Sequence, residues 1–345
     1  MINHMFSGKP GANAGWMVLS AMVLLGALTL SAMATPDQWQ HEGWGETDFS
    51  KTSIDYSEIL SGGPPKDGIP SIDTPGFVTL TGGENSQLSL GAQEPVITLD
   101  INGDARAYPI RVLMWHEIVN DTVGEVPVTV TYCPLCNTAL VFDRRIDGVL
   151  HDFGTTGKLR NSDLVMYDRQ TQSWWQQFSG EAIVGKKLGT VLKGIPARLE
   201  AYERFQKDHP SGKVLVPDNP NVRSYGSNPY VGYDLSARPF LFRGDLPTDI
   251  NPMARVVMVE SGGKSQAVAL EHLRKKRKVM LGDVEVAWEP GQNSALETRD
   301  ITKGRDVGNV IARKRSGAEF EDVVYHVTFA FAYRAFLPDG PILQE

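Results

Sequence analysis

Valine recurs at every second position in GEVPVTVTY (Gly124 to Tyr132), and the run TALVFDRR (Thr138 to Arg145) follows after only five residues. Apolar and β-branched residues at a period of two mark a strand with one face buried. Two such runs joined by so short a link pair as neighbouring strands. The link begins with Cys133-Pro134-Leu135-Cys136, which holds both cysteines of a 345-residue chain. The only two thiols therefore sit at a strand-to-strand turn.

Upstream, EPVITLDING (Glu94 to Gly103) reads as a strand and a turn, ARAYP leads into a helix near Pro109, and IRVLMWHEIVND carries that helix to Asp121. Residues 35 to 90 are crowded with Gly, Pro, Ser and Asp, densest in SGGPPKDGIPSIDTPGF, and are expected as an ordered wrap over the core or a loop near the site. Residues 255 to 304 repeat the order strand, Gly turn, short helix, strand and Asn-Ser-Ala-Leu, echoing 95 to 148 with Pro-Gly-Gln where the first copy has its thiol turn. The expected fold is α+β and predominantly β, with two related β-rich lobes packed as one unit. The boundaries place a Gly/Pro-rich wrap at 35–90, a thiol-bearing lobe at 91–250 and a cysteine-free lobe at 251–345.

The chain opens with Lys9, no acidic residue before Ala34, and an uncharged apolar run from Trp16 that ends in Ala32-Met33-Ala34. This is the pattern of a cleaved export signal over residues 1–34, cut after Ala34. An uncleaved run of that length would instead anchor the protein in a membrane. A periplasmic or secreted location follows, in an oxidising compartment where neighbouring cysteines can pair. The formal net charge of -7 disfavours non-specific nucleic-acid binding. The one basic cluster, Arg274 to Lys278, reads as a solvated helix face.

A structural disulfide across Cys133 and Cys136 would close so small a loop that it contributes roughly 2 kcal/mol, well under half the value for a loop of ~100 residues. Two thiols two residues apart instead suit a dithiol/disulfide cycle, and Pro134 restricts their geometry. The residues after Cys136 carry no helix-opening signature, so no helix dipole lowers a thiol pKa here. A zinc site lacks its second ligand pair, whereas copper would suit Cys133 and Cys136 with His116, or with His151, and with Met114 or Met166 as thioethers. Glu117 falls near the middle of the apolar helix face. Buried there it has a raised pKa and serves as acid or base for the thiols; paired with Arg111 or Arg106 it is structural. GTTGKL lacks phosphate-loop spacing and the hydroxyl that would hold magnesium. Arg160, Asn161, Asp163 and Trp175 are expected on a cleft wall, as substrate-binding residues.

WHEIVNDTVGEVPVTVTYCPLCNTALVFDRRIDG, LRNSDLVMYDRQTQSWWQQFSGEAIVG, SNPYVGYD, RPFLFRG and FAFAYRAF together resemble an uncharacterised prokaryotic family, domain of unknown function 3179. The likeness runs from Trp44 to Phe336. It implies export and, because some members carry selenocysteine in the paired motif, redox work at Cys133 and Cys136. His116 lies in the family's WHE motif and His151 in a part that is not fixed. The leading expectation is an exported thiol-dependent oxidoreductase acting on a thiol or disulfide of a protein or small molecule. The alternatives are a periplasmic copper protein and a ligand-binding module with an incidental disulfide.

Overall fold

The structure, a computed structural model, describes residues 35–80 and 89–345. Residues 1–34, read from the sequence as an export signal, and residues 81–88 of the wrap lie outside the described residues. The described chain is mostly β, and five sheets form a propeller-like ring. The first sheet orders Ile59–Ser61, Phe153–Arg160, Asp163–Asp168, Trp174–Gln176 and Glu181–Val184. The second, which carries the thiols, orders Gly194–Ile195, Thr138–Asp143, Val126–Cys133 and Ile118–Val123. The pair read from the valine alternation is antiparallel, with Val130 opposite Val141 and Cys133 opposite Thr138.

Two sheets share one topology. In the third, the Pro95–Ile101/Asp104–Pro109 hairpin is flanked by Arg198–Ala201 on one side and Lys213–Val216 on the other, and the Tyr202–Asp208 helix joins those flanks. In the fourth, the Arg255–Ser261/Lys264–Ala269 hairpin is flanked by Tyr325–Phe329 and Ile342–Leu343, joined by the Ala330–Phe336 helix. The pairing senses agree as well: antiparallel at the first flank, parallel at the second. Each hairpin also feeds a seven-residue helix, Ile110–His116 or Leu270–Lys276, and then a further antiparallel pair. Helices this short gain little from propensity and are held by packing; Ile110, Val112, Leu113 and Met114 are all buried.

The later half has an apolar cluster of its own, from Val257 to Val327, and shares a larger one with the first half. The shared cluster runs from Ile97 through Tyr132, Trp175 and Val256 to Tyr333, across the 250/251 boundary drawn from the sequence. The wrap at 35–90 supplies edge strands, with Ile59 opposite Arg160 and Phe77 opposite Leu215.

The helix expected to continue to Asp121 stops at His116. Glu117 takes φ 58° and ψ -30°, and Ile118–Val123 is a strand paired with Val126–Cys133. The reason is local: Ile118, Val119, Thr122 and Val123 are β-branched, and Gly124-Glu125 at positive φ turns the chain into a hairpin. Glu117 is thus placed by a kink between helix and strand, not by a helical face. Among the described residues no helix is long and apolar enough to cross a membrane.

Candidate functional site

The Cys133–Cys136 turn is capped by another part of the chain. The Cys136 carbonyl accepts from Phe329 N at 3.2 Å and from Thr328 Oγ1 at 2.8 Å. Asn137, at φ 56°, donates through Nδ2 to Val327 O at 3.0 Å. Tyr233 Oη donates to Leu135 O at 2.8 Å. A turn that would be solvated in an isolated hairpin is thereby sealed, leaving Cys133 2% and Cys136 0% exposed.

The two sulfurs lie 3.2 Å apart and both cysteines are free thiols. Cys136 Sγ donates to Asp163 Oδ2 at 2.8 Å. Asp163 Oδ1 accepts from Gln176 Nε2 at 2.6 Å and from Phe178 N at 2.9 Å. The ligand atoms of Cys133, Cys136 and Asp163 all fall within 4.8 Å of one another.

Cys133 faces a cavity of about 150 Å³ whose walls include Pro134, Leu135, Leu164, Phe240 and Leu241, with Glu117, Lys158 and Tyr230 as its ionisable members. Cys136 does not line it. Glu117 is 8% exposed, and among the described residues nothing hydrogen-bonds or ion-pairs with its carboxyl. Both arginines that the sequence offered it are engaged elsewhere: Arg111 with Glu94, and Arg106 with Asp104 and Asp121. Desolvation, with the nearby Asp163 charge second, pushes the Glu117 carboxyl up to about 8. Asp163 is raised to about 6, again by burial, although the thiols, Gln176 and Phe178 N oppose the shift. Burial pushes both thiols up as well, Cys136 the further. Lys158 cannot offset this charge, since its ammonium is held by Glu42 Oε2 at 2.5 Å. At neutral pH both thiols and Glu117 rest protonated, whereas Asp163, at about 6, is mostly ionised and accepts from Cys136.

The other sequence-predicted positions separate. His116 spends both ring nitrogens elsewhere, Nδ1 on Pro70 O at 2.8 Å and Nε2 on Tyr225 Oη at 2.7 Å, and is not in the sulfur cluster. Trp175 is fully buried, packs edge-on to Phe153 and donates to Asp168 Oδ2 at 2.9 Å, so it is a core residue and not a cleft wall. Arg160 pairs with Glu58 Oε2 at 2.7 Å and approaches Gln176 Oε1 at 3.5 Å. Asn161 reaches Ala335 O at 3.5 Å. Of the four residues grouped as substrate-binding, only Asp163 comes to the thiols.

A family model described as "Protein of unknown function (DUF3179)" matches residues 66–340. The chain belongs to that family. Neither the curated proteins nor the solved structures give a significant match. In this DUF3179 member the cavity walls that sequence reasoning missed, Tyr230, Phe240 and Leu241, fall inside SNPYVGYD and RPFLFRG. Those two family segments lie about a hundred residues from the cysteines, and their Tyr, Pro, Phe and Leu content was the available signal.

Proposed function

We propose that this protein is an exported thiol-dependent oxidoreductase that works on a small disulfide in the Cys133 cavity. The observation that carries the reading is the asymmetric dithiol: Cys133 faces the cavity beside an unpaired buried Glu117, while Cys136 lies behind it on Asp163. The ionised form of Glu117, populated as pH approaches 8, takes the Cys133 proton, and the thiolate attacks one sulfur of a disulfide R–S–S–R′. A mixed disulfide forms on Cys133, and R′S⁻ leaves with the proton returned by Glu117. Asp163 then takes the Cys136 proton, Cys136 attacks the Cys133 sulfur, and RS⁻ leaves with that proton. Two thiols are oxidised to one disulfide and R–S–S–R′ is reduced to RSH and R′SH. The same steps run backwards oxidise two substrate thiols.

Near-complete burial of both sulfurs excludes a folded protein substrate without opening of the turn, and so favours small molecules. The test is intact-mass analysis of the mature protein, reduced and then exposed to 2-hydroxyethyl disulfide and to glutathione buffers. Loss of two mass units with an equilibrium near physiological glutathione potentials supports the reading. A pair that stays reduced, or whose bond resists reduction below about -300 mV, overturns it.

The compact Cys133, Cys136 and Asp163 set favours one second reading, a soft-metal site for storage or delivery of copper. Asp163 takes the place that the sequence offered to His116. A bound cation would neutralise the thiolates that burial otherwise disfavours. Stoichiometric copper in protein purified under reducing conditions, lost in Asp163→Asn and retained in His116→Phe, is the outcome expected of it.

We further infer that the matched topology of the third and fourth sheets reflects an internal duplication in which only the first copy carries thiols. Self-comparison of aligned family members should give a repeat offset of about 160 residues, the spacing of the Ile110–His116 and Leu270–Lys276 helices. A family profile with no such offset removes the inference.

A further inference from the structure

The thiol chemistry leaves a second, larger cavity unused. It encloses about 610 Å³, within the roughly 300–1,000 Å³ of small-molecule sites, and draws its walls from the first, second and fourth sheets. Its aliphatic side includes Leu140, Leu192, Met258 and Val324. Its aromatic side is a continuous series. The Arg160 guanidinium lies 5.6 Å from the Phe336 ring centre, Phe336 stacks on Phe178 at 4.4 Å, and Phe178 meets the His326 ring at 4.8 Å.

His326 is the anomaly. It is 7% exposed, its Nδ1 is fully buried with no partner, and neither ring nitrogen has a hydrogen bond among the described residues. A buried polar group normally has a partner, and leaving one without is destabilising. Burial alone pushes the His326 pKa down to about 4, so at neutral pH the ring is uncharged and offers one acceptor nitrogen and one donor. The charge around it is one-sided. Arg160 is already paired with Glu58, whereas Glu181 and Glu260, which also line the cavity, have no ion pair among the described residues. An aromatic wall, a neutral acceptor and two unpaired carboxylates are complementary to a cation carried on a flat ring.

We propose that this cavity is a second ligand site, separate from the thiols, for a small aromatic amine. The ring stacks on Phe178, an N–H donates to His326, and the ammonium lies toward Glu181 and Glu260.

Tryptamine is the probe, with indole-3-propionate as the same ring of opposite charge. Calorimetric titration into the mature protein, together with NMR of ¹⁵N-histidine-labelled protein, reads binding and the His326 environment. Expected are tryptamine binding that shifts one histidine spin system, at least tenfold weaker binding in His326→Phe, about threefold weaker binding in Glu260→Gln, and no binding of indole-3-propionate. Cys133→Ser should bind tryptamine as the wild type does. Reaction of the His326→Phe thiols with 2-hydroxyethyl disulfide at the wild-type rate shows that this variant is folded. If tryptamine fails to bind at millimolar concentration, if the two probes bind equally, or if folded His326→Phe binds undiminished, the proposal is overturned. A failure here leaves the dithiol reading standing, since that rests on the mass change at Cys133 and Cys136.

Discussion

Cys136 Sγ donates to Asp163 Oδ2 across 2.8 Å, while the other oxygen of the same carboxyl is held by Gln176 and Phe178 N. The carboxyl is therefore fixed in orientation with one oxygen turned to sulfur, as a group that takes one proton from one thiol must be. Cys133 Sγ makes a longer contact to Ser162 O at 3.8 Å and faces the cavity. Under the proposed chemistry, this difference in surroundings gives the two cysteines different steps.

Cys136→Ser should trap a mixed disulfide on Cys133 when treated with 2-hydroxyethyl disulfide, seen as a stable adduct by intact mass. Cys133→Ser should form adducts at least ten times more slowly, because Cys136 lies outside the cavity lining. Equal adduct rates in the two variants would remove the assignment of Cys133 as the attacking thiol.

Asp163→Asn should leave the first adduct forming at near the wild-type rate and slow closure of the Cys133–Cys136 bond. Loss of a positioned base costs typically 10²–10⁴-fold. Rapid-quench mass analysis separates the two steps, and an unchanged closure rate would assign Asp163 to structure alone.

Burial holds the Glu117 carboxyl near 8 in the folded protein, against an ordinary value of 4.5. A carboxyl raised by folding binds its proton more tightly in the native state, so its contribution is fully present below about pH 4.5 and is lost as pH rises toward 8, at roughly 1.4 kcal/mol for each pH unit crossed between those values. Glu117→Gln, neutral throughout, should flatten that fall. Urea unfolding at pH 5, 7 and 8.5 measures it, and parallel pH profiles for wild type and variant would contradict the raised Glu117 pKa.

Trp175→Ala should destabilise the protein by about 3–5 kcal/mol through the cavity it leaves, with Asp168 losing its indole partner as well. Arg160→Ala removes a partly exposed pair with Glu58 and should cost about 1 kcal/mol or less. Thermal unfolding of both variants distinguishes a core residue from a surface one; comparable losses would reverse these two placements.

Local pattern specified a good part of this molecule. Valine alternation marked the Val126–Cys133 and Thr138–Asp143 strands and put the thiols at their turn, because a period of two is a property of neighbouring residues and needs no distant partner. The first strand, turn and short helix at 95–148 and 255–304 were legible for the same reason, but the second strand of each hairpin, Asp104–Pro109 and Lys264–Ala269, was not. The end of the Ile110–His116 helix was harder, since IRVLMWHEIVND suits a helical face and only hairpin pairing with Val126–Cys133 makes Ile118 onward a strand.

What the sequence determined by itself was the pair of thiols, their turn and their β-rich setting. Only the tertiary structure decided their environment. Asp163 reaches Cys136 from 27 residues away and Thr328 from 192, whereas His116, close in sequence, points instead to Pro70 and Tyr225. Acidity, access and proton transfer depend on burial and on which groups meet across sheets, and those are set by packing over the whole chain.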